Sequence, residues 1–195
     1  MGSNPLRSMS GKYFIETLNT IVKSGGNFDW HVAFHPYPEN LFDPRTWEDI
    51  DATRSFDTRK ITFKNIEILP AFLHQARFLH DGKPRRIILS EQGFHTPEGP
   101  DGERDQAAAY AYAYYRVRHT NGIDAFILHR HVDHPGEGGL RLGLRSSRSG
   151  EGRPICDVFR QADTADWLEA FKFALPVIGI KKWTDILPPK PLQTE

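Results

Sequence analysis

Arg85-Arg86-Ile87-Ile88-Leu89-Ser90-Glu91-Gln92-Gly93-Phe94-His95 is a short apolar run that stops at an acid, with a glycine two residues further on. Read as a strand, it puts Ile87, Leu89 and Glu91 on one face and Ile88 and Ser90 on the other. Apolar residues on both faces describe a strand covered on both sides, as in a parallel α/β sheet. Glu91 then falls at the carboxyl end of a buried strand, where open α/β sheets and barrels carry their chemistry. A carboxylate in that position needs water or a partner, because burying it alone costs several kcal/mol. A strand-end ion pair with a neighbouring arginine is the plainer use of the same residue.

Working outward, two more strand-like runs stand at residues 30–35 and 124–131, with helical patterns between them. Residues 11–24 carry Phe14, Leu18 and Ile21/Val22 on one stripe and end at Gly25-Gly26. Residues 62–79 space Phe63, Ile66, Leu69 and Leu73 helically, with Pro70 expected to kink or split the helix. The alanine-rich stretch 105–118 predicts a third helix. Residues 141–154, rich in Gly, Ser and Arg, read as a surface loop. Helices are expected at 155–162 and 165–174, the latter capped by Asp163 or Thr164. Residues 177–180 could add a strand, and the tail 188–195 reads as extended or disordered.

Alternating helix and strand give a parallel sheet with right-handed crossovers. A closed (β/α)8 barrel needs eight strands and roughly 250 residues. This chain has 195 residues and offers three strands or four. The pattern fits either a small open α/β sheet or the last part of a barrel, with residues 1–187 as its domain.

Lys plus Arg (25) balances Asp plus Glu (25), which gives no argument for a nucleic-acid or anionic-membrane partner. The single cysteine, Cys156, excludes an intrachain disulfide and a cysteine-rich zinc site, and is expected to be a buried or half-buried apolar residue. No run approaches a membrane span, and Met1-Gly2-Ser3-Asn4-Pro5 does not read as a signal peptide. Phosphate-loop, dinucleotide and nucleophile-elbow motifs are absent, so no cofactor is expected.

Each strand ends in polar groups. After the first come His35-Pro36-Tyr37-Pro38-Glu39-Asn40, where two prolines stiffen the exit and fix how Tyr37, Glu39 and Asn40 project. His35 reads as a hydrogen-bond partner of substrate or carboxylate, or as a satisfied core histidine. After the third come His129-Arg130-His131-Val132-Asp133-His134. Strand periodicity puts His129 and His131 on one face, a familiar first half of a metal site. Gly138-Gly139 suggests a turn or a close backbone approach.

The motifs HPYPEN (35–40), ILSEQGFHT (88–96) and FILHRHVDH (126–134) resemble a bacterial domain-of-unknown-function family regarded as glycoside-hydrolase-like TIM barrels. The resemblance runs from about residue 5 to residue 182 and implies the C-terminal part of a (β/α)8 barrel, strands six to eight. It places Glu91 where retaining glycosidases of the related clan carry their nucleophile. His35 and Tyr37 match the sixth-strand positions near it. The eighth strand of that clan often ends in tryptophan, and here it ends in His129 and His131.

The clan's acid/base glutamate follows an asparagine, and no Asn-Glu pair occurs in the sequence. Within the chain the candidate second carboxylates are Glu39 and Asp133. Retaining chemistry needs two carboxyls ~5–5.5 Å apart, and inverting chemistry ~6.5–9.5 Å. The expectation is therefore a carbohydrate-active hydrolase with Glu91 catalytic, and His35, Tyr37, Glu39, His129 and His131 binding substrate. Its acid/base would come from an N-terminal half outside these residues. A metal-dependent hydrolase using His129 and His131 is the rival, and a non-catalytic carbohydrate-binding barrel the third reading.

Overall fold

The computed structural model describes residues 9–188. Most of the tail expected at 188–195 therefore lies outside the described residues. Helix α1 (Gly11–Ser24) precedes strand β1 (Val32–Phe34). Helix α2 (Ile68–Leu73), strand β2 (Ile87–Gln92), helix α3 (Gly102–Arg118) and strand β3 (Ala125–Leu128) follow. Three short helices close the chain: α4 (Pro154–Gln161), α5 (Trp167–Ala170) and α6 (Ala174–Ile178). The strands make one parallel sheet in the order β1-β2-β3, so the strand that opened the reading is the central one.

β2 begins from an anchored arginine. The Arg85 side chain is fully buried and donates Nε to the Phe78 carbonyl (2.8 Å), Nη1 to the Phe28 carbonyl (3.1 Å) and Asp29 (3.0 Å), and Nη2 to Asn27 (3.0 Å). Its guanidinium also lies 4.7 Å from the Trp30 ring. One side chain thus ties the entries of β1 and β2 together at the amino end, and its donors are matched by acceptors as a buried charge requires.

One face of the sheet is covered. Ile87 and Leu89 are buried there, and Tyr110 of α3 stacks on Phe126 of β3 at 5.7 Å. Phe63 completes the contact, 5.3 Å from Phe126 and 5.6 Å from Phe94. Ala107, Ala108, Ala109, Ala111 and Ala113 of α3 are inaccessible, so this helix is apolar nearly all round and is buried as such helices are. Each fully buried Phe, Ile or Leu here contributes about 1.5–3 kcal/mol.

The other face is open among the described residues, contrary to the expectation of cover on both sides. Ile88 is 37% and Ile127 52% exposed, and Ala33 beside them is exposed too. The face assignment of Glu91 also changes. Leu89 pairs with Phe126 but Gln92 pairs with Leu128, so β2 spends three steps where β3 spends two. A bulge of this kind inverts the alternation. Gln92, not Glu91, continues the buried face of Ile87 and Leu89, and is inaccessible. Ser90 and Glu91 are both half-buried, and Glu91 no longer shares the covered face with Ile87 and Leu89.

Several helix expectations shift. Phe63, Ile66, Leu69 and Leu73 are buried as their spacing requires, but 62–79 is not one helix. It breaks into a 3-10 turn (Phe63–Asn65), α2 and a second 3-10 turn (Ala76–Phe78), with Gln75 extended. Pro70 is third in α2, in the first turn where its missing N–H goes unneeded. The helix at 165–174 divides into α5 and α6. Neither expected cap serves it: Asp163 adopts φ 65° and accepts the Tyr114 hydroxyl, while Thr164 Oγ1 donates to the Gln161 carbonyl (2.7 Å). Residues 177–180 form no strand, since Val177 and Ile178 end α6 and Gly179 follows in the left-handed region. The loop 141–154 is exposed only in part, with Leu142 and Arg153 buried. Cys156 is buried, and no described helix is long and apolar enough to cross a membrane.

Candidate functional site

A trough of about 1790 Å³ runs along β1 from α1 to the carboxyl ends of the strands, where Tyr37, Glu91, His129 and Glu137 line it. Shaped ligand pockets run roughly 300–1,000 Å³, so this is an open concavity with a polar end. The hydrogen bond Val32 N–H to Arg86 O (2.9 Å), and that of His129 N–H to Gln92 O (2.8 Å), align the strands so that their exits converge there. Gly93 permits the approach, because a Cβ at that position would overlap the His129 carbonyl oxygen.

Glu91 is half-buried and its Oε1 accepts the Tyr37 hydroxyl at 3.0 Å. Tyr37 stands between Pro36 and Pro38, both buried, so the stiff exit read from the sequence does set its position. Burial first, and then the bond and charge of Glu91, push the Tyr37 phenol well above its ordinary pKa. It therefore remains a donor across the physiological range. The same phenol responds to the charges of Glu137 and Arg130, which places both in its neighbourhood.

His35 is exposed and its Nε2 lies 3.1 Å from Ser90 Oγ, so it meets the residue beside Glu91 and not Glu91 itself. His129 Nε2 lies 2.9 Å from Glu137 Oε1, and Arg130 Nη2 lies 2.7 Å from the same oxygen. Arg130 Nε also lies 3.3 Å from His129 Nε2. An ionised carboxylate only accepts, so the shorter contact makes His129 Nε2 a donor to Glu137, and the Arg130–His129 contact is not a second bond. The His129–Arg130 peptide is cis.

Of the remaining candidates, Glu39 lines the same trough, whereas Asp133 and His131 do not. Glu39 Oε2 accepts the Ile50 N–H (3.0 Å), its own N–H donates to Asp49 (3.1 Å), and its carbonyl takes Lys60 Nζ (3.2 Å). It braces the loop after β1 through Oε2, while its Oε1 is buried without a hydrogen-bond partner. Asp133 is gripped by Arg153 and accepts the Gly143 N–H at 2.8 Å. Burial alone would raise its carboxyl, but the Arg153 bond, the Gly143 N–H and the neighbouring arginine charges outweigh that and hold it below the usual range. His131 is exposed and outside the trough. Among the described residues, no group of three or more His, Cys, Asp or Glu could hold a metal ion. His95 is buried, with Nδ1 accepting the Arg141 N–H at 3.0 Å. Burial and the Arg141 charge hold its imidazole below the ordinary pKa.

The structure thus brings together Tyr37, Glu91, His129, Arg130 and Glu137. Sequence reasoning missed Glu137. Its signal was an acid set among glycines eight residues beyond His129, with Gly138 and Gly139 at φ 63° and 89° making the turn that returns it. Its Oε2 is shut off from solvent and has no donor. An unsatisfied buried acceptor of this kind costs about 1–3 kcal/mol, and more when charged.

No curated protein and no solved structure matches the chain. A family pattern described as Family of unknown function (DUF5722) matches residues 2–186, so the chain belongs to that family.

Proposed function

We propose that this sheet is the C-terminal part of a (β/α)8 barrel and that the protein is a retaining glycoside hydrolase with Glu91 as nucleophile. Support for the barrel comes from the three parallel strands in sequential order, with edges open at β1 and β3. The exposed Ile88 and Ile127, and the exposed Tyr13, Phe14 and Ile21 of α1, are apolar surface that further strands and helices would cover. One observation carries the functional reading. Glu91 sits at the carboxyl end of the central strand, in the trough, with Tyr37 holding one of its two oxygens at 3.0 Å.

In this scheme Tyr37 fixes Oε1 and Oε2 attacks the anomeric carbon. A bond forms from that oxygen to carbon while the bond to the leaving oxygen breaks. The leaving oxygen takes its proton from an acid supplied by another part of the barrel, since Asp133 is committed to Arg153 and Glu39 Oε2 to the Ile50 N–H. Water then cleaves the glycosyl ester with that same group as base. His129, Arg130 and His35 contribute donors to sugar hydroxyls.

The commitment of Asp133 to Arg153 also favours a second reading, a barrel that binds carbohydrate without cleaving it. A metal-dependent hydrolase on His129 and His131 draws less support, because His131 lies outside the trough.

The test is Glu91→Gln in the full-length protein, assayed on a panel of aryl glycosides. A 2-fluoroglycoside trap, followed by mass spectrometry of the peptide carrying residue 91, reports the covalent step. Loss of turnover, with wild-type labelling at Glu91, is expected. Turnover that survives the substitution ends the nucleophile assignment, and saccharide binding without turnover in the wild type selects the second reading.

A further inference from the structure

We infer that Phe42 is a stacking platform for a pyranose ring in the trough, an inference that rests on the carbohydrate reading above. Among the aromatic side chains that line the trough, Phe14 on α1 and Phe42 at the strand exits are exposed. Phe42 is 52% exposed, and loops from all three strands hold it there. In the loop after β1 its N–H donates to Asn40 Oδ1 (3.0 Å), and the Asp43 N–H closes the turn on the Asn40 carbonyl (3.0 Å). The buried His95, in the loop after β2, packs against the ring at a steep angle with centroids 5.2 Å apart. Gly139, in the loop after β3, runs beside it, close enough for a Cβ there to lie 3.9 Å from the ring. An aromatic ring braced in this way and still half in solvent is a preformed apolar surface, and a ligand that covers it spends little on ordering it.

A pyranose suits that surface. Its faces are built from C–H groups and its rim from hydroxyls, so stacking takes a C–H face and the aromatic ring out of water together while the rim keeps polar partners. Asn40 supplies one such partner. It lines the same trough, and with Oδ1 spent on the Phe42 N–H it retains its amide N–H donors for a ring hydroxyl. Leu41, Leu140 and Leu142 also line the trough and extend the apolar surface around Phe42.

Isothermal titration calorimetry on the full-length protein tests this, with gluco-, galacto-, manno- and xylo-oligosaccharides as probes. Phe42→Ala is expected to weaken the best ligand by about 10-fold or more, from the ring area that stacking removes from water. Phe42→Leu keeps apolar bulk without a flat face, and should still lose about 3-fold or more. Phe42→Trp should bind at least as tightly as wild type. Its added indole also reports on the contact, since its emission, taken as the difference from wild type, should shift when the ligand saturates the site. Thermal unfolding of each variant separates lost binding from lost fold.

Affinity within about 2-fold of wild type in Phe42→Ala overturns the inference. So does full affinity in Phe42→Leu, an unshifted emission in Phe42→Trp, or failure of every saccharide to bind. If Glu91→Gln keeps its turnover while Phe42→Ala loses affinity, the nucleophile assignment falls and the platform stands. If Glu91→Gln loses turnover while Phe42→Ala binds as wild type does, the platform falls alone.

Discussion

Asp133→Ala should be among the most damaging polar substitutions in the described chain, although Asp133 lies outside the cluster around Glu91. Its carboxylate meets Arg153 fork to fork, with Oδ1 3.0 Å from Nη1 and Oδ2 bonded to Nη2, and the side chains are 9% and 5% exposed. Removing Asp133 leaves the buried Arg153 with only the exposed Glu103 carboxylate, 3.7 Å from its Nε, to balance it, and breaking a buried pair in this way costs about 3–5 kcal/mol. The Gly143 N–H, 2.8 Å from Oδ1, is orphaned at the same time, while water entering the vacated space returns part of the loss. The expected net is about 3–4 kcal/mol, a large share of the roughly 5–15 kcal/mol that keeps a domain folded. Urea unfolding at pH 7 reads it as a fall in midpoint at constant slope.

Asp133→Ala combined with Arg153→Met should be less destabilised than Asp133→Ala alone, because the stranded charge is gone. The pH dependence has a definite sign. The folded carboxyl is held below its ordinary value, so its contribution is complete above the unfolded pKa of ~3.9 and is lost as pH falls through the lower folded value. The difference between wild type and Asp133→Asn should be flat above about pH 5 and should shrink below about pH 4. A single-variant loss under about 1 kcal/mol, or a double variant worse than the sum of its singles, refutes the buried-pair argument.

Two other substitutions probe the site and the open face. Tyr37→Phe removes one charge-assisted bond and leaves the ring between its prolines, so the full-length protein should keep its unfolding midpoint while kcat drops about 10- to 100-fold, from the ~1.5–3 kcal/mol such bonds carry; steady-state kinetics on the best aryl glycoside decides it. Ile127→Ser should change the stability of residues 1–195 alone by less than about 0.5 kcal/mol, because Ile127 is 52% exposed, yet should cost about 2–4 kcal/mol in a protein whose further strands bury that face. Equal effects in both would argue against a completed barrel.

The fold was legible where periodicity and composition point the same way. The three strand positions, the alanine-rich helix α3 and the buried residues of 62–79 could all be read because burial imposes a period on the sequence. What failed was local and geometric. Spacing alone does not distinguish a helix from two 3-10 turns around a short helix, since all of them bury the same side chains. Between α4 and α5, Asp163 leaves helical space to meet Tyr114 instead of capping the next helix, a contact across 49 residues that no local pattern announces.

The site shows the same limit more sharply. Strict alternation sends Glu91 to the covered face with Ile87 and Leu89, where a lone carboxylate would sit against α3 and the aromatic core. One extra residue in β2 between Leu89 and Gln92 inverts the alternation, hands that buried position to Gln92, and sets Glu91 at the trough. Gln92 suits it because its side-chain amide donates to the Ile127 carbonyl, which leaves a neutral group inside and the charged one outside. The carboxylate that marked this strand is therefore available because the strand is irregular at that point. Glu137 completes the argument from the other side of the cluster. It comes from a glycine turn with no period to read, and only the returned loop brings its carboxylate to His129 and Arg130. Both acids owe their place to a departure from regular structure, and such departures are where strand exits acquire chemistry that their flanking elements do not encode.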